Sequence, residues 1–340
     1  MKRIVICADG TWNKPDQTDR GKRKPSNVVK TARGVLPRDN DGVAQIAYYN
    51  DGVGTNWGLD KIAGGGLGVG LSANIVDAYQ FLVLNYEPGD DIFLFGFSWG
   101  AYTVRSLAGL LDSIGILPKG HAFYIPDGYT LYRDKSSQEN IDKFRQEHGC
   151  REGPVKYVGV WDTVGALGVP VGLFKSFNKK YQFHQVGLSD NIENAYHALA
   201  IDERRRPFTP TLWSLPQDSK QMLDQTWFAG VHTNIGGGYS KDGLANIPLH
   251  WLKEKATSHG LEFDETFLVH YKPWFGHELR DSMTWVYRLL IPKSRVIGMM
   301  KNGNESIHKS VYQRMDKDPD YKPKSLLKYL KRYPREVEDG

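Results

Sequence analysis

Ser98 stands in Gly96-Phe97-Ser98-Trp99-Gly100, and this G-x-S-x-G spacing suits a serine nucleophile. A serine hydroxyl attacks poorly until a base removes its proton, so a histidine and an orienting acid are required. In this kind of site the acid and then the histidine follow the serine along the chain. His232 is the first candidate base, because the apolar run Trp227–Val231 leads straight into it and a glycine-rich loop follows. His308 is the alternative base, also late in the chain. Asp162 ends the run Val158-Gly159-Val160-Trp161 and is the first candidate acid, with Asp202, after Ala198-Leu199-Ala200-Ile201, as the alternative. The oxyanion donors expected are the backbone amide of Trp99 and that of Gly10 or Thr11.

Such a site needs a sheet edge to stand on. Runs rich in β-branched and aromatic residues at Arg3–Ala8, Ala44–Tyr49 and Asp91–Phe97 predict strands, and Val155–Trp161, Ala195–Ile201 and Thr226–Val231 predict three more. Helical spacing over Leu71–Tyr86 and Ala101–Leu111 alternates with them. The pattern predicts an α/β protein with a mostly parallel central sheet flanked by helices. Ser98 then sits on a strand–turn–helix elbow, where glycines two residues to either side avoid collision with the turn. Residues 1–340 are expected to form a single catalytic domain with a helical insertion at about 117–153, a lid over 165–181 and a helical C-terminal part from about 245.

Composition excludes several classes. With 40% hydrophobic and 24% charged residues the chain is an ordinary globular one. Cys7 and Cys150, the two cysteines, make no disulfide framework and no metal-site spacing. The apolar start is too short for a signal peptide and no run is long enough to span a bilayer, so a cytoplasmic protein is expected, with signal-independent export as the alternative. The net charge of +5 permits contact with anionic surfaces without demanding it.

Several motifs in order also resemble the type VI secretion phospholipase effector family. They are Cys7–Asn13, Gly96–Ala101 with Arg105, Val160–Gly168, His197–Arg204, Trp227–Tyr239, and Ile307–Val311 followed by Tyr321–Pro323. The elbow departs from the family's G-F-S-R-G-A at Trp99. The resemblance implies an α/β-hydrolase fold, a triad of Ser98, Asp162 and His232, and phospholipase A activity on glycerophospholipids. The expected reaction passes through an acyl-enzyme and needs no cofactor. Lipid or another ester is the expected substrate, with no nucleic-acid partner. The alternatives are an esterase or lipase on other esters, and a non-catalytic binding module on the same scaffold.

The remaining motifs are weaker. Asp9-Gly10-Thr11 resembles the D-x-D-G-T of phosphatases, but Cys7 occupies the nucleophile's position. Gly64–Gly70 lacks the Lys-Ser/Thr of a P-loop and reads as a flexible turn. The run Gly168–Phe177 suits a lid, an acyl-binding wall or a buried crossover. Lys322–Arg335 interleaves leucines with lysines, as a helix docked on its own domain does, and as one lying on an anionic membrane also does.

Overall fold

Strands that are apolar at every position need cover on both faces, and that requirement organises this chain. The computed structural model describes residues 1–11, 13–52, 67–164, 187–216, 218–283, 287, 292–300 and 304–334. Within them one sheet is built from β1 (Arg3–Ala8), β2 (Gln45–Asn50), β3 (Asp91–Phe97), β4 (Tyr157–Trp161), β5 (Asn194–Ala200), β6 (Met222–Phe228) and β7 (Glu305–Ile307). Their order is β2-β1-β3-β4-β5-β6-β7, and every neighbouring pair is parallel.

Alternate residues divide the core. Ile4, Ile6, Ile92, Leu94, Val158 and Val160 pack with α2 (Leu67–Asn85) and α3 (Trp99–Ile114) in an aliphatic layer. Val5, Phe93, Phe95, Tyr157, Trp161 and Tyr196 point to the other face, towards α1 (Asn27–Gly34) and a helix at Gly243–Ser258. That second layer is aromatic, with Tyr157 stacked on Phe93 at 5.8 Å and on Tyr196 at 5.3 Å. The Tyr157 hydroxyl donates to the carbonyl of Leu252 at 2.8 Å, so its buried oxygen is satisfied and fastens helix to sheet.

The six expected strands are present, each shifted by a few residues at most. The insertion is helical, with a 3₁₀ turn at Lys119–Tyr124 followed by Ile125–Arg133 and Gln138–His148. Among the elements that no sequence pattern announces, two bear on the core. The helix α1 starts on Ser26, whose side chain accepts from the Val29 amide, in a stretch with little apolar periodicity. The strand β7 has three residues, too few to read. Beyond Gly243 helices occur also at Glu265–Leu268, Lys309–Lys317 and Lys324–Arg332. The proposed lid at 165–181 and residues 64–66 of the glycine run lie outside the described residues, and Leu67–Gly70 form the start of α2 where a flexible turn is expected.

The elbow fixes two glycines by contact. A Cβ on Gly100 lies 2.0 Å from the carbonyl oxygen of Ala8, and one on Gly96 lies 2.5 Å from that of Gly100. Gly120, by contrast, has nothing within 4 Å of an added Cβ. Gly100→Ala is therefore expected to destabilise the protein by about 2 kcal/mol or more, and Gly120→Ala to change stability by no more than about 0.5 kcal/mol. Urea unfolding of both variants checks this, and equal midpoints overturn it.

Candidate active site

The residue joining β3 to α3 is Ser98, with φ 57° and ψ −117°. A side chain at positive φ outside glycine's territory costs about 1–3 kcal/mol, and such strain gathers at functional turns. The Ser98 amide donates to the carbonyl of Trp161 at 3.1 Å, which pins the turn to the end of β4. Its side chain makes no cap to the helix it precedes, so the hydroxyl is not spent on its own backbone. Trp99 is the first residue of α3, with its amide at the positive end of the helix dipole.

One residue beyond β4, Asp162 is fully buried and also has positive φ, at 42°. Its amide donates to the carbonyl of Ala198 at 2.8 Å, holding the turn against β5. One carboxylate oxygen, Oδ1, accepts from the Ala200 amide at 3.0 Å. The other, Oδ2, lies 2.6 Å from Nδ1 of His232. His232 opens the short helix His232–Gly236 after β6, its ring packed between Phe97 at 4.6 Å and Phe208 at 4.9 Å. Its amide donates to Glu203 Oε2 at 3.2 Å. Ser98, Asp162 and His232 thus stand at the C-terminal ends of strands in one sheet, and Phe97 beside the serine touches the histidine ring. Among the described contacts no hydrogen bond joins Ser98 to His232.

Electrostatics separates the two titratable groups. Burial alone pushes the Asp162 carboxyl up, but the Arg295 guanidinium and the hydrogen bonds from His232 and Arg295 outweigh it and hold the acid well below the usual carboxylate range. Burial lowers the His232 imidazole, and the Asp162 contact opposes this only in part. The pair therefore rests as carboxylate and neutral imidazole, with Nδ1–H donated to the acid.

The remaining expected residues divide. The loop after β1 does abut the elbow, since a Cβ on Gly10 lies 3.1 Å from that of Ser98. However, the Gly10 amide donates to Asp9 Oδ1 at 2.7 Å, which corrects its expected part as an oxyanion donor and leaves Thr11 as the candidate in that loop. Asp9 is a buried anchor, accepting also from Asn13 at 2.8 Å, Ser26 at 2.5 Å and Tyr49 at 2.9 Å. Asp202 is turned elsewhere, accepting from the Gly230 amide at 2.7 Å and the Tyr321 hydroxyl at 2.9 Å. His308 stacks on Phe228 at 4.6 Å and meets Ser310 at 2.8 Å. Neither contacts Ser98, Asp162 or His232 among the described residues.

Three supporting residues are not singled out by the sequence pattern. His197, which like Glu203 lies inside the motif His197–Arg204, is fully buried in β5, and its Nε2 accepts the Thr163 amide at 3.1 Å while Nδ1 faces Gln225 at 3.3 Å. Glu203 is bound by Arg205 at 2.8 Å and carries the backbone of His232. Arg295 grips Asp162 with both terminal nitrogens, at 2.5 and 2.8 Å. Among the described residues no group of three or more His, Cys, Asp or Glu could hold a metal ion, and no helix is long and apolar enough to cross a membrane.

A parallel sheet in this order, carrying a strained serine between a strand and the following helix, defines an α/β-hydrolase-like protein. The sequence model of the type VI secretion phospholipase effector Tle1-like catalytic domain matches residues 2–255, and the chain belongs to that family. It is 28% identical over 250 residues to the uncharacterized protein YEL023C of Saccharomyces cerevisiae, covering 63% of this chain and 34% of the yeast protein. The chain thus spans about a third of that relative's length. Among solved structures it is similar to the Tle1 effector bound to the VgrG spike of the type 6 secretion system, at a TM-score of 0.48 and 14% identity over 84% of this chain and 77% of that one. It is also similar to an uncharacterized protein from Pseudomonas aeruginosa, at a TM-score of 0.46 and 15% identity over 80% of this chain and 49% of the other.

The buried imidazole of His197 generates a test of acid stability. Burial drives its pKa down to about 3, from about 6.5 in the unfolded chain. Between those values the unfolded state binds a proton that the folded state refuses, so stability falls as pH drops through this window, by up to about 1.4 kcal/mol per pH unit. His197→Gln keeps an acceptor for Thr163 without titrating. Its stability is expected to fall less steeply between pH 6 and 4 than that of the parent, measured by urea midpoints, and parallel curves overturn the assignment.

Proposed function

We propose that this protein is a serine hydrolase that cleaves carboxylic esters, acting as a phospholipase A on glycerophospholipids through Ser98, His232 and Asp162. The observation that carries this reading is the 2.6 Å contact between His232 Nδ1 and Asp162 Oδ2, at the same sheet edge as the strained Ser98. With Nδ1–H given to the acid, Nε2 is the nitrogen left to act as base. It takes the Ser98 proton as Oγ attacks the ester carbonyl. The tetrahedral oxyanion is met by the Trp99 amide at the helix start and by Thr11 in the neighbouring loop. The histidine then protonates the leaving alcohol, and water, activated by the same base, hydrolyses the acyl-enzyme.

Family membership supports a lipid as substrate, and residues 1–340 are proposed to work as one catalytic domain. The helix Lys324–Arg332 supports peripheral contact with an anionic lipid surface. Leu326 is buried in the cluster with Ile297 and Val311, as expected of a helix docked on its own body, while Lys324, Lys328, Lys331 and Arg332 are exposed. Export through a type VI system belongs to the same proposal.

Release of fatty acid from mixed phospholipid vesicles and from a short soluble ester tests the reading. Ser98→Ala is expected to lose about four orders of magnitude or more on both substrates. Activity on the soluble ester alone sinks the phospholipid assignment, and serine-independent release sinks the triad. Because His232 must be neutral to act and burial lowers its pKa, kcat/KM is expected to hold below about pH 6.5 before its acid limb falls. An acid limb centred clearly above that value contradicts the assigned base.

A further inference from the structure

Arg295 lies beyond residues 2–255, the stretch matched by the family, yet it reaches the acid of the proposed site. Its side chain is 2% exposed. Nη1 donates to Asp162 Oδ1 at 2.5 Å and to the Ala200 carbonyl at 2.8 Å. Nη2 donates to Asp162 Oδ2 at 2.8 Å and to the Phe208 carbonyl at 2.7 Å. The planar guanidinium is thus fixed at four points, and a fork held this way fixes the carboxylate plane. Oδ2, the oxygen that meets His232, is the one Nη2 also holds.

Two consequences follow from charge and geometry. Rotation of the Asp162 carboxylate breaks both guanidinium bonds, so Oδ2 stays aimed at Nδ1 and the ring stays turned. The guanidinium also draws on the charge that an imidazolium needs. Asp162 and Arg295 neutralise each other before the histidine is protonated, so His232 gains less from the acid than it does from an unpaired carboxylate. Among the described residues the other charged groups around His232 are Glu203 and Arg205, a buried pair at 2.8 Å. His197, held neutral, stands behind Asp162, and Tyr239 lies near Arg205 and Glu203. Arg295 is the group that divides the attention of the acid itself.

We propose that Arg295 is a positioning residue for the catalytic histidine, clamping both oxygens of Asp162 and weakening the imidazolium by sharing its counter-ion. This rests on the Ser98–His232–Asp162 reading. By this route a segment outside the matched family stretch completes the site.

The test uses the full chain and a fluorophosphonate probe, whose rate of reaction with Ser98 needs a neutral His232 and no lipid. Rates are taken per mole of folded protein from pH 4.5 to 8.5 for the parent, Arg295→Met and Arg295→Lys. In Arg295→Met the rate is expected to fall about tenfold to a hundredfold, with the acid half-point moved up by about half to one pH unit. Arg295→Lys, which keeps the charge but not the fork, is expected to lose rate with a smaller displacement of the half-point. It also decides the matter if the methionine variant does not fold. Variants with the parent's rate and half-point, differing only in melting temperature, overturn the proposal and leave Arg295 a structural staple. Failure of the parent itself to label at Ser98, with Ser98→Ala as control, is a different result. It overturns the underlying triad and the clamp with it.

Discussion

An ionised carboxylate with no exposed surface must be given donors for both of its oxygens, because its hydration is gone and an unpaired buried charge is far too costly to keep. Asp162 is such a group, and its donors come from three distant parts of the chain. The Ala200 amide belongs to β5, the imidazole follows β6, and the guanidinium arrives from residue 295. Meeting that requirement brings the ends of two strands and a C-terminal segment to one point. The Asp162 turn is in turn held by the Ala198 carbonyl and by His197 through Thr163, so the acid rests on the sheet and not on a free loop. A group placed in this way cannot be moved without disturbing β4 and β5 together.

The serine is held by a different means. Hydrogen bonding matters less there than close approach: a Cβ on Gly96 or Gly100 would collide with backbone, and Ser98 between them takes a positive φ. The strain is local, and it is carried by β1, β3 and β4, whose registers fix where Ala8, Gly96 and Trp161 stand. Strain at the serine and charge at the acid are therefore supported by overlapping sets of strands, with β4 common to both.

This division explains what the sequence could reveal. A strand, a turn and a helix in succession form a local pattern, so the elbow around Ser98 can be read directly. Asp162 and His232 can be singled out because each is a polar residue at the end of an apolar run, which is where a parallel sheet presents side chains. The contact between them spans 70 residues, and no local pattern encodes it. Asp202 also ends an apolar run, and only the packing shows that its carboxylate turns towards Gly230 and Tyr321. His197 falls inside an apolar strand and reads as an interior position, although its work is to hold the Thr163 amide. Arg295 lies in a stretch without periodicity, and nothing near it in sequence points to Asp162. The Gly10 amide could be placed beside the elbow but not known to be bound, because Asp9 turns back on its own loop.

The charges around the site also bear on how the proposed reaction is driven. Asp162 with Arg295 and Glu203 with Arg205 form two buried pairs, each close to neutral, around an imidazole that burial already keeps uncharged. Two paired charges of opposite sign give little long-range help to either the anion or the cation formed in the proposed attack of serine on an ester. In the proposed reaction, stabilisation of the oxyanion then falls to dipoles fixed at short range, and among the described residues the start of α3 and the loop after β1 stand beside the serine to supply them. In the proposed reaction the imidazolium gains from Asp162 only what that acid can spare from Arg295, with Glu203 a further favourable charge, so its proton passes readily to the leaving alcohol. Such an arrangement favours rapid proton return over a strongly held ion pair, which suits a base that must take and release one proton twice in each turnover.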